Sequence, residues 1–229
     1  MLNISIYKIV LSSIKNRGLI SSFNMIFGEV YYNLKYGFIF DYGVEASKFK
    51  ESDYYSYQGT SWVTLRNIFK VLSADGDFNL TKAVMIDYGC GKGRAMIVAL
   101  EHGVSQVIGV EYDKNLYNDC CKNLYRFSNL RRNKKKPNYE CKHIDAKDYA
   151  IPNSCNTVFM YNPFGRETMN EIIINIKEFS NKEKKNILVI YVNPVFGAIF
   201  IENSFSVVGN IANDVFFYEY KFERLSDAD

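Results

Sequence analysis

The chain has 229 residues, 48% hydrophobic and 23% charged, the balance of a globular protein long enough for a full core. Its formal net charge of +3 is too small to mark a nucleic-acid binder by itself. Five cysteines without CxxC spacing, and only two histidines, His102 and His143, argue against a zinc site, any other metal centre, a disulfide framework and a Ser-His-Asp triad. Free thiols suit a reducing cytoplasm.

The first residues are apolar but broken by Lys8, Lys15, Asn16 and Arg17. They lack the uninterrupted apolar run of about 20 residues that a membrane span needs, and they carry no small-residue cleavage site. Ile4, Ile6, Tyr7, Val10, Leu11 and Ile14 fall at helical spacing, so the segment predicts an amphipathic helix. Its stripe suits packing on the protein's own core, with surface attachment to a membrane as the alternative. The rest of residues 1–80 is mostly helical and irregular, punctuated by Gly18, Gly28, Gly37 and Gly43. Residues 61–72 place Trp62, Leu65, Ile68, Phe69 and Leu72 on one helical face. Residues 74–79 read as a turn.

Beyond residue 80 the pattern changes. Residues 82–87 form a short apolar run ending in an acid, followed by a glycine loop and a helix over 95–101. A second run over 106–111 again ends in an acid, and a helix spans 115–127. The basic run 131–136 precedes strands over 139–144 and 157–161. A helix over 167–179 presents Met169, Ile172, Ile173, Ile176 and Phe179, and a fifth strand spans 186–192. Residues 204–211 and 214–223 read as two strands joined at Ala212-Asn213, giving one antiparallel partner at the sheet edge. Strands alternating with helices predict an α/β fold: a Rossmann-like, seven-stranded, mostly parallel sheet with helices on both faces. The composition divides the chain into an N-terminal helical cap, residues 1–80, and a ligand-binding domain, residues 81–229.

Ligands of such sheets sit beyond the carboxyl ends of the strands. Asp87 arrives there, and Gly89, Gly91 and Gly93 let the backbone turn sharply and approach a ligand closely. The spacing is GxGxG; the dinucleotide fingerprint GxGxxG would require glycine at Arg94. An acid just before the first glycine suits a ligand with an ammonium and a sulfonium better than a pyrophosphate. Glu111, about 20 residues further on, suits a pair of ribose hydroxyls. A plain strand–helix turn and a nucleotide-binding domain remain the competing readings.

Asp-Tyr-Gly-Cys-Gly-Lys-Gly-Arg at 87–94 and Val-Ile-Gly-Val-Glu-Tyr-Asp at 107–113 resemble motifs I and II of class I S-adenosylmethionine (SAM)-dependent methyltransferases. That resemblance covers about residues 40–200. It implies that Asp87, Gly89 and Gly91 line the methionine part of SAM and that Glu111 holds the ribose. Cys90, Gly93 and Tyr112 fall in the same implied cofactor site. Asp145 matches the acid that bonds the adenine amine; alone, it also reads as a helix N-cap. Tyr161-Asn162-Pro163-Phe164 resembles the Asn/Asp-Pro-Pro-aromatic motif of nitrogen methyltransferases and, more distantly, the Asn-Asn-Phe segment of non-SET histone-lysine methyltransferases. Phe164 departs from the first by replacing the second proline.

Asn162, Pro163 and Phe164 are therefore the candidate catalytic residues: Asn162 to accept from the acceptor and adjoin the cofactor, Pro163 to stiffen the turn, Phe164 to wall the pocket. A second Asn-Pro, Asn193-Pro194, ends the fifth strand. Together with Tyr42-Gly43-Val44-Glu45 and the Tyr57–Trp62 stretch, these motifs resemble a bacterial methyltransferase-like family with GKGR, NPFG and YVNP motifs. That likeness implies Glu45, Thr60 and Trp62 as lid residues near the cofactor; taken alone, Trp62 reads as a core residue. The expected activity is methyl transfer to a nitrogen on a protein lysine or a small-molecule amine. O-methylation of a sugar or other metabolite, and a SAM-binding module without catalysis, are the alternatives. The basic run reads as a solvated loop, which leaves nucleic acid a disfavoured partner.

Overall fold

The computed structural model describes residues 19–38, 59–76, 78–130 and 136–222. The predicted helix over residues 4–14, the Tyr42–Glu45 motif and residues 131–135 of the basic run lie outside them. The elements in chain order are α1 (Leu19–Tyr36), α2 (Trp62–Ala74), β1 (Val84–Tyr88), α3 (Arg94–Glu101), β2 (Gln106–Glu111), α4 (Lys114–Leu130), β3 (Tyr139–His143), β4 (Thr157–Tyr161), α5 (Arg166–Glu183), β5 (Ile187–Val192), α6 (Gly197–Glu202), β6 (Ser206–Ile211) and β7 (Val215–Tyr220).

The strands form one seven-stranded sheet in the order β3-β2-β1-β4-β5-β7-β6. β1 to β5 are parallel, and β7 runs antiparallel to both β5 and β6. The two final strands form the expected hairpin, but β7 lies inside the sheet and β6 takes the edge. Side-chain burial explains the placement: β7 is largely buried, whereas β6 is mostly exposed and bulges between Val207 and Gly209.

The central strands are apolar on both faces. Met85 and Ile190 join one core with Trp62, Leu65, Met96 and Leu124. Ile86, Tyr88, Val189 and Tyr191 join the other with Met169, Ile173 and Phe200. All five residues assigned to the apolar face of α2 are buried. Ser61 caps that helix by accepting the Thr64 amide at 3.2 Å. α6 was not legible as a separate element, because its six residues are too few to show a helical period.

α1 and α2 lie close together: a Cβ at Gly28 would meet Val63 Cγ2 at 2.5 Å. Both helices are bolted to α3 through Glu101. Its carboxylate accepts from Lys35 Nζ at 2.7 Å, from the Tyr36 hydroxyl at 2.6 Å and from Arg66 Nη1. Burial by itself would raise the Glu101 carboxyl; the bonds from Lys35, Tyr36 and Arg66 outweigh it and hold it down at about 2. A carboxyl depressed below its ordinary value of 4.5 stabilises the fold above that pH and loses the contribution as pH falls towards 2. We expect Glu101→Gln to lower stability by about 1–3 kcal/mol at neutral pH. The gap to wild type in urea midpoints should shrink as pH drops from 5 to 3; a constant gap would show that the ion cluster is not its source.

Candidate active site

After β1 the chain fills one side of the sheet with β2 and β3, then crosses to the other side with β4 and β5. The strand order reverses between β1 and β4, the point at whose carboxyl ends sheets of this kind hold their ligands in a crevice. Asp87 stands one residue from the end of β1, in register with Gly109 of β2 and Phe159 of β4. Asn162 follows the last residue of β4, and Asn193 holds the equivalent place after β5, because Tyr161 pairs with Val192. Both asparagines have left-handed φ, +35° and +51°, a region asparagine enters more readily than most residues.

The glycine loop is fixed by its backbone. The amides of Gly89 and Cys90 donate to the Val110 carbonyl at 2.9 and 3.1 Å, and the Gly93 amide donates to the Cys90 carbonyl at 2.9 Å. Asn123 of α4 donates to the Lys92 carbonyl at 3.0 Å. Two glycines are sterically required. Gly89 has φ +69°, and a Cβ there would lie 2.6 Å from Pro163 Cβ. Gly93 has φ +82°, and its Cβ would lie 2.9 Å from Cys120 Sγ. The loops after β1 and β4 therefore touch, which brings Asn162-Pro163 beside the glycine loop.

Two carboxylates share this corner. Glu111 accepts the Gly91 amide at 2.8 Å on one oxygen and the Asp113 amide at 2.9 Å on the other. Burial raises the Glu111 carboxyl, and the amides of Asp113 and Gly91 oppose the rise. Asp87 is only 2% exposed, and among the described residues its Oδ2 has no hydrogen-bond partner. Burial, reinforced by the charge on Glu111, pushes the Asp87 carboxyl from 3.8 up to about 8. A buried carboxyl oxygen without a partner is costly unless a donor or cation meets it. The donor set, a buried acid beside a glycine-walled loop, fits the ammonium of an amino-acid group.

The other candidate residues have distinct placements. The Cys90 thiol turns inward, 3.8 Å from Cys120 Sγ, which lies 3.7 Å from Cys141 Sγ; only the Cys90 backbone belongs to the loop surface. Against the lowering effect of Cys120, burial pushes the Cys90 thiol up to about 12. Tyr112 is exposed, with its carbonyl bonded to His143. Asp145 accepts the Lys147 amide at 3.0 Å and so shapes the turn after β3. Asn162 Oδ1 accepts from the Tyr191 hydroxyl at 2.9 Å. Phe164 is buried in the core beneath α5. Trp62 is fully buried, its indole N–H donating to Asn33 Oδ1 at 2.9 Å. Thr60 is buried, and its carbonyl accepts from Arg94 at 3.4 Å. Among the described residues no His, Cys, Asp or Glu cluster has the geometry to hold a metal.

No protein-family model matches the chain, and no curated protein does. Solved structures do. The chain is similar to a provisionally assigned RNA methyltransferase from Pyrococcus horikoshii, with a TM-score of 0.58 and 18% identity over 86% of this chain and 98% of that one. It is also similar to a ribosomal protein L11 methylase from Lactobacillus delbrueckii subsp. bulgaricus, with a TM-score of 0.51 and 13% identity over 73% and 81% of the two chains. The chain has the class I methyltransferase fold.

Sequence reading missed the residues that tie α1 of this methyltransferase fold to its glycine loop. Arg94, the first residue of α3, is buried and makes a 2.8 Å ion pair with Glu29 of α1. It also reaches Asn33 Oδ1 at 3.5 Å and stacks over Trp62, 5.1 Å from the ring centroid. Its place in the GKGR motif was the available signal, but its partners lie 61 and 65 residues away.

Two outcomes are expected. Gly89→Ala should cost at least about 1–2 kcal/mol from the left-handed backbone alone, with the Pro163 clash added, as read from urea denaturation. The folded state retains a proton on Asp87 that the unfolded chain releases above about 4. Asp87 therefore contributes stability below that pH that is lost as pH rises through about 8. Asp87→Asn should flatten the decline in thermal midpoint between pH 5 and pH 9; an unchanged profile would show that Asp87 ionises freely.

Proposed function

We propose that the chain is a SAM-dependent methyltransferase acting on a nitrogen of a protein lysine or small-molecule amine. The observation that carries this reading is the buried, unpartnered Asp87 oxygen beside the glycine loop at the β1–β4 crevice. When bound, SAM supplies a methyl group on a sulfonium, open to in-line attack by an acceptor lone pair.

The chain's own residues do the positioning. Asp87 receives the ammonium, and the glycine loop gives close backbone approach. Glu111 keeps lone pairs beyond the two it spends on Gly91 and Asp113, enough to accept from ribose hydroxyls. Tyr112 and Asp145 serve the adenine side. Asn162, oriented by Tyr191, accepts an acceptor N–H, while Pro163 holds the turn against Gly89. These acceptor-side groups are neutral, and a neutral amine needs orientation more than a strong base. Orientation of this kind is worth about 7–11 kcal/mol of barrier. Phe164 acts from beneath, by packing the turn. Of the similar structures, one is an RNA methyltransferase by provisional assignment and another a ribosomal protein L11 methylase. A reducing cytoplasm suits the five free thiols.

Calorimetry at pH 6.5 tests the cofactor. There the ligand's amino group is already protonated, whereas Asp87 holds its own proton. Binding should release close to one proton per ligand, read from the enthalpy difference between two buffers, and Asp87→Asn should abolish the release. Absence of binding at micromolar SAM would overturn the assignment. For the chemistry, Asn162→Ala should leave SAM affinity within a few-fold while lowering labelled-methyl transfer to host-lysate amines about 100-fold. Label recovered in ether-linked oxygen would move the reaction to the O-methyl class.

A further inference from the structure

Two of the chain's four prolines follow an asparagine, and each Asn-Pro pair stands directly after a strand. Asn162-Pro163 follows β4 and has its role above; Asn193-Pro194 follows the neighbouring β5. Tyr161 and Val192 are register partners, about 4.8 Å apart as neighbouring strands are, so the two asparagines leave the sheet side by side. One hydroxyl ties the two turns together. Tyr191, fully buried, donates to Asn162 Oδ1 at 2.9 Å, and its oxygen accepts the Phe196 amide at 3.4 Å. The Asn193 backbone is fixed as well: its amide donates to the Asp214 carbonyl at 2.7 Å, and its carbonyl accepts the Val195 amide at 2.8 Å.

The Asn193 side chain, by contrast, is uncommitted. It is exposed, and among the described residues its carboxamide has no hydrogen-bond partner. The turn does not require it either. Among the described residues the chain also enters the left-handed region with Lys184, Ser204 and Ala212, so a positive φ does not by itself dictate asparagine. A carboxamide offers N–H donors and a carbonyl acceptor at once, which matches a neutral group that does the same, an amide or a hydroxyl. Because the two asparagines stand about one strand spacing apart, groups held by both lie only a few bonds from each other. We propose that Asn193 is a specificity-determining residue: its carboxamide holds an amide or hydroxyl of the methyl acceptor, close to the nitrogen that Asn162 orients. This rests on the nitrogen-transfer reading and narrows its substrate class. Amino alcohols and amino amides are methylated in preference to plain alkylamines and to the lysine side chain, whose nitrogen ends a four-carbon stem.

The test measures labelled-methyl transfer from SAM to the amine pool of host lysate at graded lysate concentrations. In Asn193→Gly the half-saturating concentration should rise about tenfold, the loss of one hydrogen bond to the acceptor, while the plateau rate stays within about threefold. Glycine adopts the left-handed turn without strain, so the thermal midpoint and SAM affinity should match wild type. Asn193→Ala, a residue this chain already places at positive φ in Ala212, should reproduce the rise, which excludes a loosened turn as its cause. Mass spectrometry of the wild-type products should find the label on amines with an amide or hydroxyl a few bonds from the nitrogen. Unchanged half-saturation in either variant, or label confined to lysine side chains or plain alkylamines, would overturn the proposal and leave nitrogen transfer standing. Wild-type protein that binds SAM but labels no amine would overturn both.

Discussion

Everything at the crevice depends on the glycine loop being hung from β2. The amides of Gly89 and Cys90 share the Val110 carbonyl, and the Gly91 amide meets the Glu111 carboxylate. Because β2 pairs in parallel with β1, the strand that leads into the loop also lies beside the strand that anchors it. The loop can therefore be held with left-handed glycines and no side chain of its own. The same economy lets Pro163 close against Gly89 from the far side of the switch point. A loop held this way presents its backbone at fixed positions before any ligand arrives.

That anchoring sets the electrostatics. Glu111 is stabilised by two backbone amides and stays near Asp87, which has no such help. Two acids with different environments have different duties: one shapes the loop, and the other keeps a buried oxygen available. The thiols of Cys90, Cys120 and Cys141 beneath the loop add polarisable bulk without charge, since all three are raised and burial pushes each of them up. The sulfur layer fills space that larger side chains at Gly93 and Gly109 would otherwise contest.

α1 and α2 reach this centre through two charged side chains at opposite ends of α3. Arg94 at its start pairs with Glu29, and Glu101 at its end gathers Lys35, Tyr36 and Arg66. One eight-residue helix is thus tied to α1 at both ends, and its first residue also follows the last glycine of the loop. The inner face of α1 is spent on that attachment.

Much of this was legible in the sequence. The β2 and β4 strands fell on the residues expected, and Trp62, Leu65, Ile68, Phe69 and Leu72 are buried together as their spacing required. Those features are local: a period of two or 3.6 residues, or a glycine where no Cβ fits, is set by neighbours in the chain. The acid–glycine spacing at 87–93 belongs to the same class, because a strand end, a tight turn and a helix start follow one another directly. Tertiary structure alone decided which strand of the final hairpin entered the sheet, since only packing shows β7 burying where β6 does not. It alone joined Arg94 to Glu29 and Gly89 to Pro163, and it left the Asp87 oxygen without a partner. Such pairings depend on where separate segments meet in space, and no local period records that.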